Sequence, residues 1–197
     1  MSIDINTGAY LTSSLSGHVF DESLANGLVE FFESENCTTV ADFGCGPGWY
    51  THVINKGNKI DCDGFDANPN TITIAKEKKY FGNFYIIDLT KNITLDKKYD
   101  WILCLEVGEH IPQEFEEILI NNLLNNNTKG IVLSWAIEGQ DGPGHVNCRN
   151  NDYIKSIFKR YDYINDIENE LKLRNTVTNA GWFKNTIMVF RKPYYTF

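Results

Sequence analysis

The chain has 197 residues, 42 % of them hydrophobic and 22 % charged, which suits one globular domain with a core of its own. Its formal net charge is −8, so non-specific nucleic-acid binding, which needs clustered Lys and Arg against phosphates, is not expected. No apolar run approaches the roughly 20 residues that cross a bilayer, and Met1–Asp4 do not open a signal peptide.

The first stretch, to about Gly17, is polar and weakly periodic. Asp21 is suited to cap a helix that turns Leu24, Leu28, Phe31 and Phe32 inward. Strand and helix signals then alternate. Residues 39–43 read as a buried strand, with a helix from Pro47. Residues 60–65 read as a second strand, followed by a helix over 69–79. Residues 84–87 give a third strand. Residues 99–105 give a fourth, with a helix over 112–124, and 130–135 a fifth. A helix near 152–159 follows, and the end reads as strand, short helix, strand, the last over 186–191. This alternation predicts an α/β fold, a doubly wound parallel sheet with helices on both faces. No repeat or linker divides the chain. Residues 1–36 are expected to form an N-terminal helical or lid segment and 37–192 the core. Five cysteines, an odd count without C-x-x-C spacing, predict reduced thiols and a cytoplasmic protein.

Sheets of this kind bind ligands beyond the carboxyl ends of their strands, and the chemically expressive residues fall there. After the first strand comes Asp42-Phe43-Gly44-Cys45-Gly46-Pro47-Gly48. Glycines let a backbone turn tightly and approach a ligand with no Cβ in the way. The G-x-G-x-G spacing differs from the dinucleotide G-x-G-x-x-G, and the Lys-Ser/Thr of a phosphate loop is absent. A tight turn without a ligand is the plainer reading of the glycines alone. Two further acids end the next strands, Asp66 and Asp88. Either alone would serve as a cap or turn residue.

Together, Val40–Gly48, Asp66, Asp88 and Glu106-Val-Gly-Glu-His110 resemble a class I S-adenosylmethionine (SAM)-dependent methyltransferase over residues 37–192. The resemblance implies a seven-stranded, mostly parallel sheet whose last strand, over 186–191, is antiparallel. It implies that Gly44, Cys45, Gly46 and Gly48 contact the methionine moiety of SAM, with Asp42 near its amino group. It implies that Asp66, followed by Ala67, holds the ribose. Asp88 would face the adenine amino group, Asn68 and Leu89 would line the adenine slot, and Glu106 would adjoin the cofactor.

Glu106, Glu109 and His110 crowd two carboxylates and an imidazole into five residues after a strand. They suit general base catalysis or a divalent cation such as Mg²⁺, Mn²⁺ or Zn²⁺. In the bland reading Glu109 caps a helix and His110 packs on the sheet rim. The cluster also resembles that of the ubiquinone-pathway O-methyltransferases and the ribose-methylating small-RNA methyltransferases, which bind metal through it. The latter add a later histidine, for which His145 in the glycine-rich stretch 134–147 is the match. That stretch reads as a mobile cover or a plain surface loop. Trp135, Gln140, Asn147 and, near the N-terminus, His18 are the expected substrate contacts, with Trp182 and Phe183 walling the acceptor pocket or filling core. The function these readings imply is methyl transfer from SAM to an oxygen or nitrogen of a small polar acceptor, a sugar or glycan precursor by preference. The alternatives are a metal-assisted O-methyltransferase acting on a ribose or quinone-type hydroxyl, and a SAM-binding subunit without catalysis.

Overall fold

The computed structural model describes residues 3–4, 6–9 and 17–193. Seven strands form one sheet: β1 (Thr39–Phe43), β2 (Asp61–Asp66), β3 (Asn83–Ile86), β4 (Tyr99–Cys104), β5 (Asn127–Leu133), β6 (Ile164–Asn165) and β7 (Met188–Arg191). Their spatial order is β3-β2-β1-β4-β5-β7-β6. Neighbours from β3 to β5 pair parallel, while β7 runs antiparallel to both β5 and β6. The order reverses between β1 and β4, the place where such a sheet opens a crevice for ligands.

Seven helices cover the sheet: α1 (Glu22–Ser34), α2 (Trp49–Asn55), α3 (Pro69–Glu77), α4 (Glu116–Asn125), α5 (Asn151–Arg160), α6 (Ile167–Thr176) and the single turn α7 (Phe183–Thr186). Successive side chains of a strand point to opposite faces, and β4 divides its core residues accordingly. Trp101 and Leu103 pack with Leu24, Leu28, Phe31 and Phe32 of α1 on one face. Ile102 and Cys104 pack with Leu119, Leu123 and Phe158 on the other. A sheet buried on both faces needs nearly continuous apolar strands, which is why β1 and β4 were legible as strands.

Asp21 caps α1 through Leu24 N–H at 2.9 Å. The same carboxylate accepts the backbone N–H groups of Thr178, Asn179 and Ala180 at 2.9, 2.6 and 3.0 Å, joining the start of the fold to its last turn. Asn68 caps α3, with Pro69 at the first helical position. The 112–124 helix opens instead as a short 3₁₀ turn, Gln113–Phe115, before α4. The tail holds two helices, α6 and α7, rather than one. Four of the five cysteines are buried and all are free thiols. Among the described residues no helix is long and apolar enough to cross a membrane.

Candidate active site

The loop after β1 takes its shape from three left-handed glycines, Gly44, Gly46 and Gly48, at φ 77°, 52° and 82°. A Cβ on Gly44 would sit 2.2 Å from Val107 Cγ2, so no other residue fits there. Gly44 and Cys45 donate their N–H groups to the Phe65 carbonyl at 2.7 and 3.0 Å. Gly46 N–H donates to Asp66 Oδ2 at 2.8 Å, and Asn68 N–H to Asp66 Oδ1 at 2.8 Å. Asp66 therefore fixes the glycine loop to the end of β2. Burial pushes its carboxyl up, against those hydrogen bonds. Asp42, at the foot of the loop, is buried and accepts the Thr51 hydroxyl at 2.7 Å. Burial raises its carboxyl to about 7.

The loop after β4 carries the second cluster. Glu106 has φ 52°, a left-handed backbone uncommon for a residue with a Cβ. Its N–H donates to Ser134 Oγ at 2.8 Å, and its Oε2 accepts Gln140 Nε2 at 3.1 Å. Glu109 is wholly buried, with neither carboxylate oxygen in a hydrogen bond of normal geometry. Burial first, and then repulsion from Glu106, holds its carboxyl well above the usual range. His110 Nδ1 lies 3.1 Å from the Gly144 carbonyl, and His145 Nδ1 2.9 Å from the Gln140 carbonyl. A carbonyl can only accept, so each Nδ1 bears the proton, which leaves Nε2 as the nitrogen that carries the lone pair when a ring is neutral. Burial lowers His110 to about 4, so it is a neutral imidazole at physiological pH. The two rings meet edge to face, and ligand atoms of Glu109, His110 and His145 all lie within 4.8 Å of one another. Gly142 keeps space open at His145: a Cβ there would stand 2.2 Å from Nε2.

Both loops open on one cavity, together with Ala67, Asn68 and Leu89 on one side and Gln140, Trp182 and Phe183 on another. His18 lies across the loop, where a Cβ on Gly46 would come 2.9 Å from its Nδ1. Four expected contacts are elsewhere. Gly48 is spent on packing, its Cα turned against Phe84 and Ala75. Asp88 folds back on its own turn, accepting Thr90 N–H and hydroxyl at 2.9 and 2.6 Å, and does not line the cavity. Trp135 is completely buried beneath Gly108, its indole N–H donating to the Asn147 carbonyl at 2.6 Å. Asn147 donates in turn to Glu116 Oε2 at 3.0 Å. Trp135 and Asn147 are thus corrected from substrate contacts to supports of the loop that presents His145. That loop is also pinned by Val146 and Asn147 N–H on the Glu109 carbonyl, at 2.8 and 3.0 Å.

The sequence reading missed the wall made by Thr7, Gly8 and Ala9 and by Trp49 and Tyr50. Gly8, at φ 71°, abuts the His110 carbonyl so closely that a Cβ would come within 2.3 Å of its oxygen. The one signal for it was a glycine inside an otherwise glycine-free opening of sixteen residues. Of the expected lid segment, residues 1–2, 5 and 10–16 lie outside the described residues.

Comparison with known proteins agrees with this geometry. A family model described as a methyltransferase domain matches residues 18–134. The chain is similar to the ubiquinone biosynthesis O-methyltransferase of Rickettsia prowazekii, 25 % identical over 180 residues, spanning 83 % of this chain and 71 % of that protein. The fold is similar to magnesium protoporphyrin IX methyltransferase from Synechocystis with bound S-adenosylhomocysteine, at TM-score 0.65 and 18 % identity over 86 % of this chain and 82 % of that one. It is equally similar to the methyltransferase domain of bacterial CtHen1, at TM-score 0.65 and 14 % identity over 87 % and 98 %. The matched domain covers more than half of the chain and coincides with the glycine loop, its acids and the switch point of the sheet, and the chain belongs to the SAM-dependent methyltransferases of the Rossmann-like fold.

Proposed function

We propose that this methyltransferase acts on oxygen: it transfers the methyl group of SAM to a hydroxyl of a small polar acceptor, assisted by a divalent cation. In this reading SAM lies along Gly44–Gly46, with its ribose at Asp66, its adenine against Ala67, Asn68 and Leu89, and its ammonium toward Asp42. The sulfonium methyl then faces Glu106, Glu109 and His110, and the acceptor enters between Gln140 and Trp182. The O-methyltransferase names of similar curated proteins support oxygen over nitrogen. Gln140 and Asp141 on the cavity wall suit a sugar or glycan-precursor hydroxyl.

The transfer is a displacement in which the acceptor oxygen bonds to the methyl carbon as the carbon–sulfur bond breaks. Sulfur leaves as a neutral thioether, and the hydroxyl proton has to be released. Holding oxygen, carbon and sulfur in line is the main task of the walls. Burial makes His110 a poor proton acceptor at neutral pH.

One observation carries the metal: the buried Glu109 carboxyl, with neither oxygen in a hydrogen bond of normal geometry, offers a ligand atom within 4.8 Å of one on His110 and one on His145. An uncompensated carboxylate is costly to bury, and a cation is what such a donor set fits. Glu109, His110 and His145 would hold it, with Glu106 beside them, held by Gln140. When bound, a divalent ion favours the deprotonated form of the acceptor hydroxyl. The Gly144 and Gln140 carbonyls do the orienting that a metal-binding histidine needs at its other nitrogen.

Calorimetric titration with SAM, metal analysis of the purified protein and turnover with and without EDTA test this reading. The expected result is SAM binding, about one bound divalent ion, and methylation of hydroxyl acceptors that EDTA abolishes and added Mg²⁺, Mn²⁺ or Zn²⁺ restores. Full turnover in EDTA would remove the metal and leave a histidine as the base. SAM binding without turnover on any hydroxyl or amine would favour a non-catalytic subunit.

A further inference from the structure

The walls of the cavity carry five carboxylates, from Asp42, Asp66, Glu106, Glu109 and Asp141, and among the described residues no lysine or arginine. Two charges of SAM suit such a field, the sulfonium and the ammonium. The third, the carboxylate of its methionine moiety, would be repelled by every ionised acid there unless a local donor or positive charge receives it. His110 and His145 stand at Glu109, where the transferred methyl is placed. The remaining basic side chain on the wall is His18.

The sequence leaves the N-terminal segment no other choice. No Lys or Arg precedes Lys56, so His18 is the first basic side chain of the chain. Two of its contacts locate it. Its Nδ1 lies 2.9 Å from where a Cβ on Gly46 would stand, which places the imidazole over the middle glycine of the loop. Its ring sits edge-on to Trp49, with centroids 6.5 Å apart and planes at 88°. A side chain on Gly46 would fill the space in which imidazole and cofactor meet.

We infer that His18 binds the carboxylate of the methionine moiety of SAM through an imidazole N–H, giving the cofactor's amino-acid end a hydrogen-bond donor among the acids of the cavity. This rests on SAM lying along the glycine loop as proposed above. His18 is then a cofactor ligand, not a contact of the acceptor. It also links the N-terminal segment to cofactor occupancy, since it stands three residues before the Asp21 cap of α1.

Binding of three compounds to wild type and to His18→Ala, by calorimetry, tests the inference: SAM, decarboxylated SAM, and 5′-methylthioadenosine, which lacks the whole amino-acid end. The wild type is expected to prefer SAM over decarboxylated SAM by about tenfold or more, the range of a charge-assisted hydrogen bond. In His18→Ala that ratio falls to near one while methylthioadenosine binds as before. His18→Gln, which keeps a donor of similar reach, retains part of the ratio and serves equally if the alanine variant does not fold. An unchanged ratio in both variants overturns the inference, as does equal weakening of all three compounds, which would make His18 packing for Gly46. A wild type that binds all three with no preference for the carboxylate overturns this inference and leaves the cofactor placement standing. A wild type that binds none overturns both.

Discussion

Glu106 and Gln140 meet at 3.1 Å, amide to carboxylate, and so join the loop after β4 to the loop after β5. The strands beneath them pair directly, with Cys104 beside Leu133, so the two loops rise from neighbouring strand ends. The joint sets Glu106 where its charge adds to that of Glu109, and together with Ser134 it holds the left-handed backbone at Glu106. A crowded, wholly buried acid beside two imidazoles follows from that arrangement.

Glu109→Gln separates the cost of the charge from its use. Burial raises the folded-state pKa of Glu109, so its ionisation opposes folding as pH rises. In EDTA the variant is expected to be more stable than wild type by about 1–3 kcal/mol at pH 8, with the gap closing toward pH 4. Its affinity for a divalent ion drops by more than about tenfold. Denaturant melts at the two pH values, with metal titrations, check both; equal stability at pH 8 would contradict the uncompensated charge.

Gly142→Ala addresses the second imidazole without replacing a ligand residue. The added methyl would stand 2.2 Å from His145 Nε2 and has to displace the ring. Divalent-ion affinity and kcat are expected to fall by about tenfold or more, while SAM affinity stays within about twofold. A variant with wild-type metal binding would show that His145 is not a ligand.

Asp42→Asn carries a pH signature. The folded-state carboxyl sits near 7, against an ordinary value of about 3.9. The free protein therefore loses stability as pH rises between those values, by a total on the order of 2–4 kcal/mol, and the loss is complete above about pH 7. The asparagine variant, which still accepts the Thr51 hydroxyl, should escape that loss and melt later than wild type at pH 8. It should also bind SAM more weakly, because the ammonium partner has lost its charge. Melting curves that shift identically with pH in both proteins would refute the raised pKa.

Asp66→Ala and Gly46→Val test the cofactor slot from two sides. Asp66 holds Gly46 N–H at 2.8 Å, so its removal loosens the loop and takes away the ribose acceptor. Affinity for SAM is expected to fall about 10- to 100-fold. Gly46→Val puts a side chain into the slot on a backbone at φ 52° and should abolish binding. Wild-type affinity in Asp66→Ala would place the ribose elsewhere.

The fold was legible because β1 and β4 are buried, largely apolar runs and because Asp21, Asn68 and Pro69 mark helix starts. The convergence of Glu109, His110 and His145 was legible from topology, since adjacent parallel strands bring successive loops to one rim. What escaped depends on direction. Asp88 follows its strand as Asp66 does, yet a threonine two residues on captures its carboxylate. Trp135 ends an apolar strand beside the site, and only the glycine at 108 reveals that its ring lies beneath the rim. The wall from Thr7 to Ala9 carries no periodic pattern that a sequence reading could use.

Asp21 gathers N–H groups from the start of α1 and from residues 178–180 in one carboxylate. Three residues before it stands His18 on the glycine loop, and two residues after that turn stand Trp182 and Phe183 on the far wall. The two ends of the chain thus share a single joint. A change in the tail that re-aims Trp182 to suit a new acceptor acts on the same carboxylate that sets the beginning of α1. Substitutions at residues 18–21 and at 178–183 are therefore expected to be coupled, so that a change of acceptor made at one place calls for a compensating change at the other.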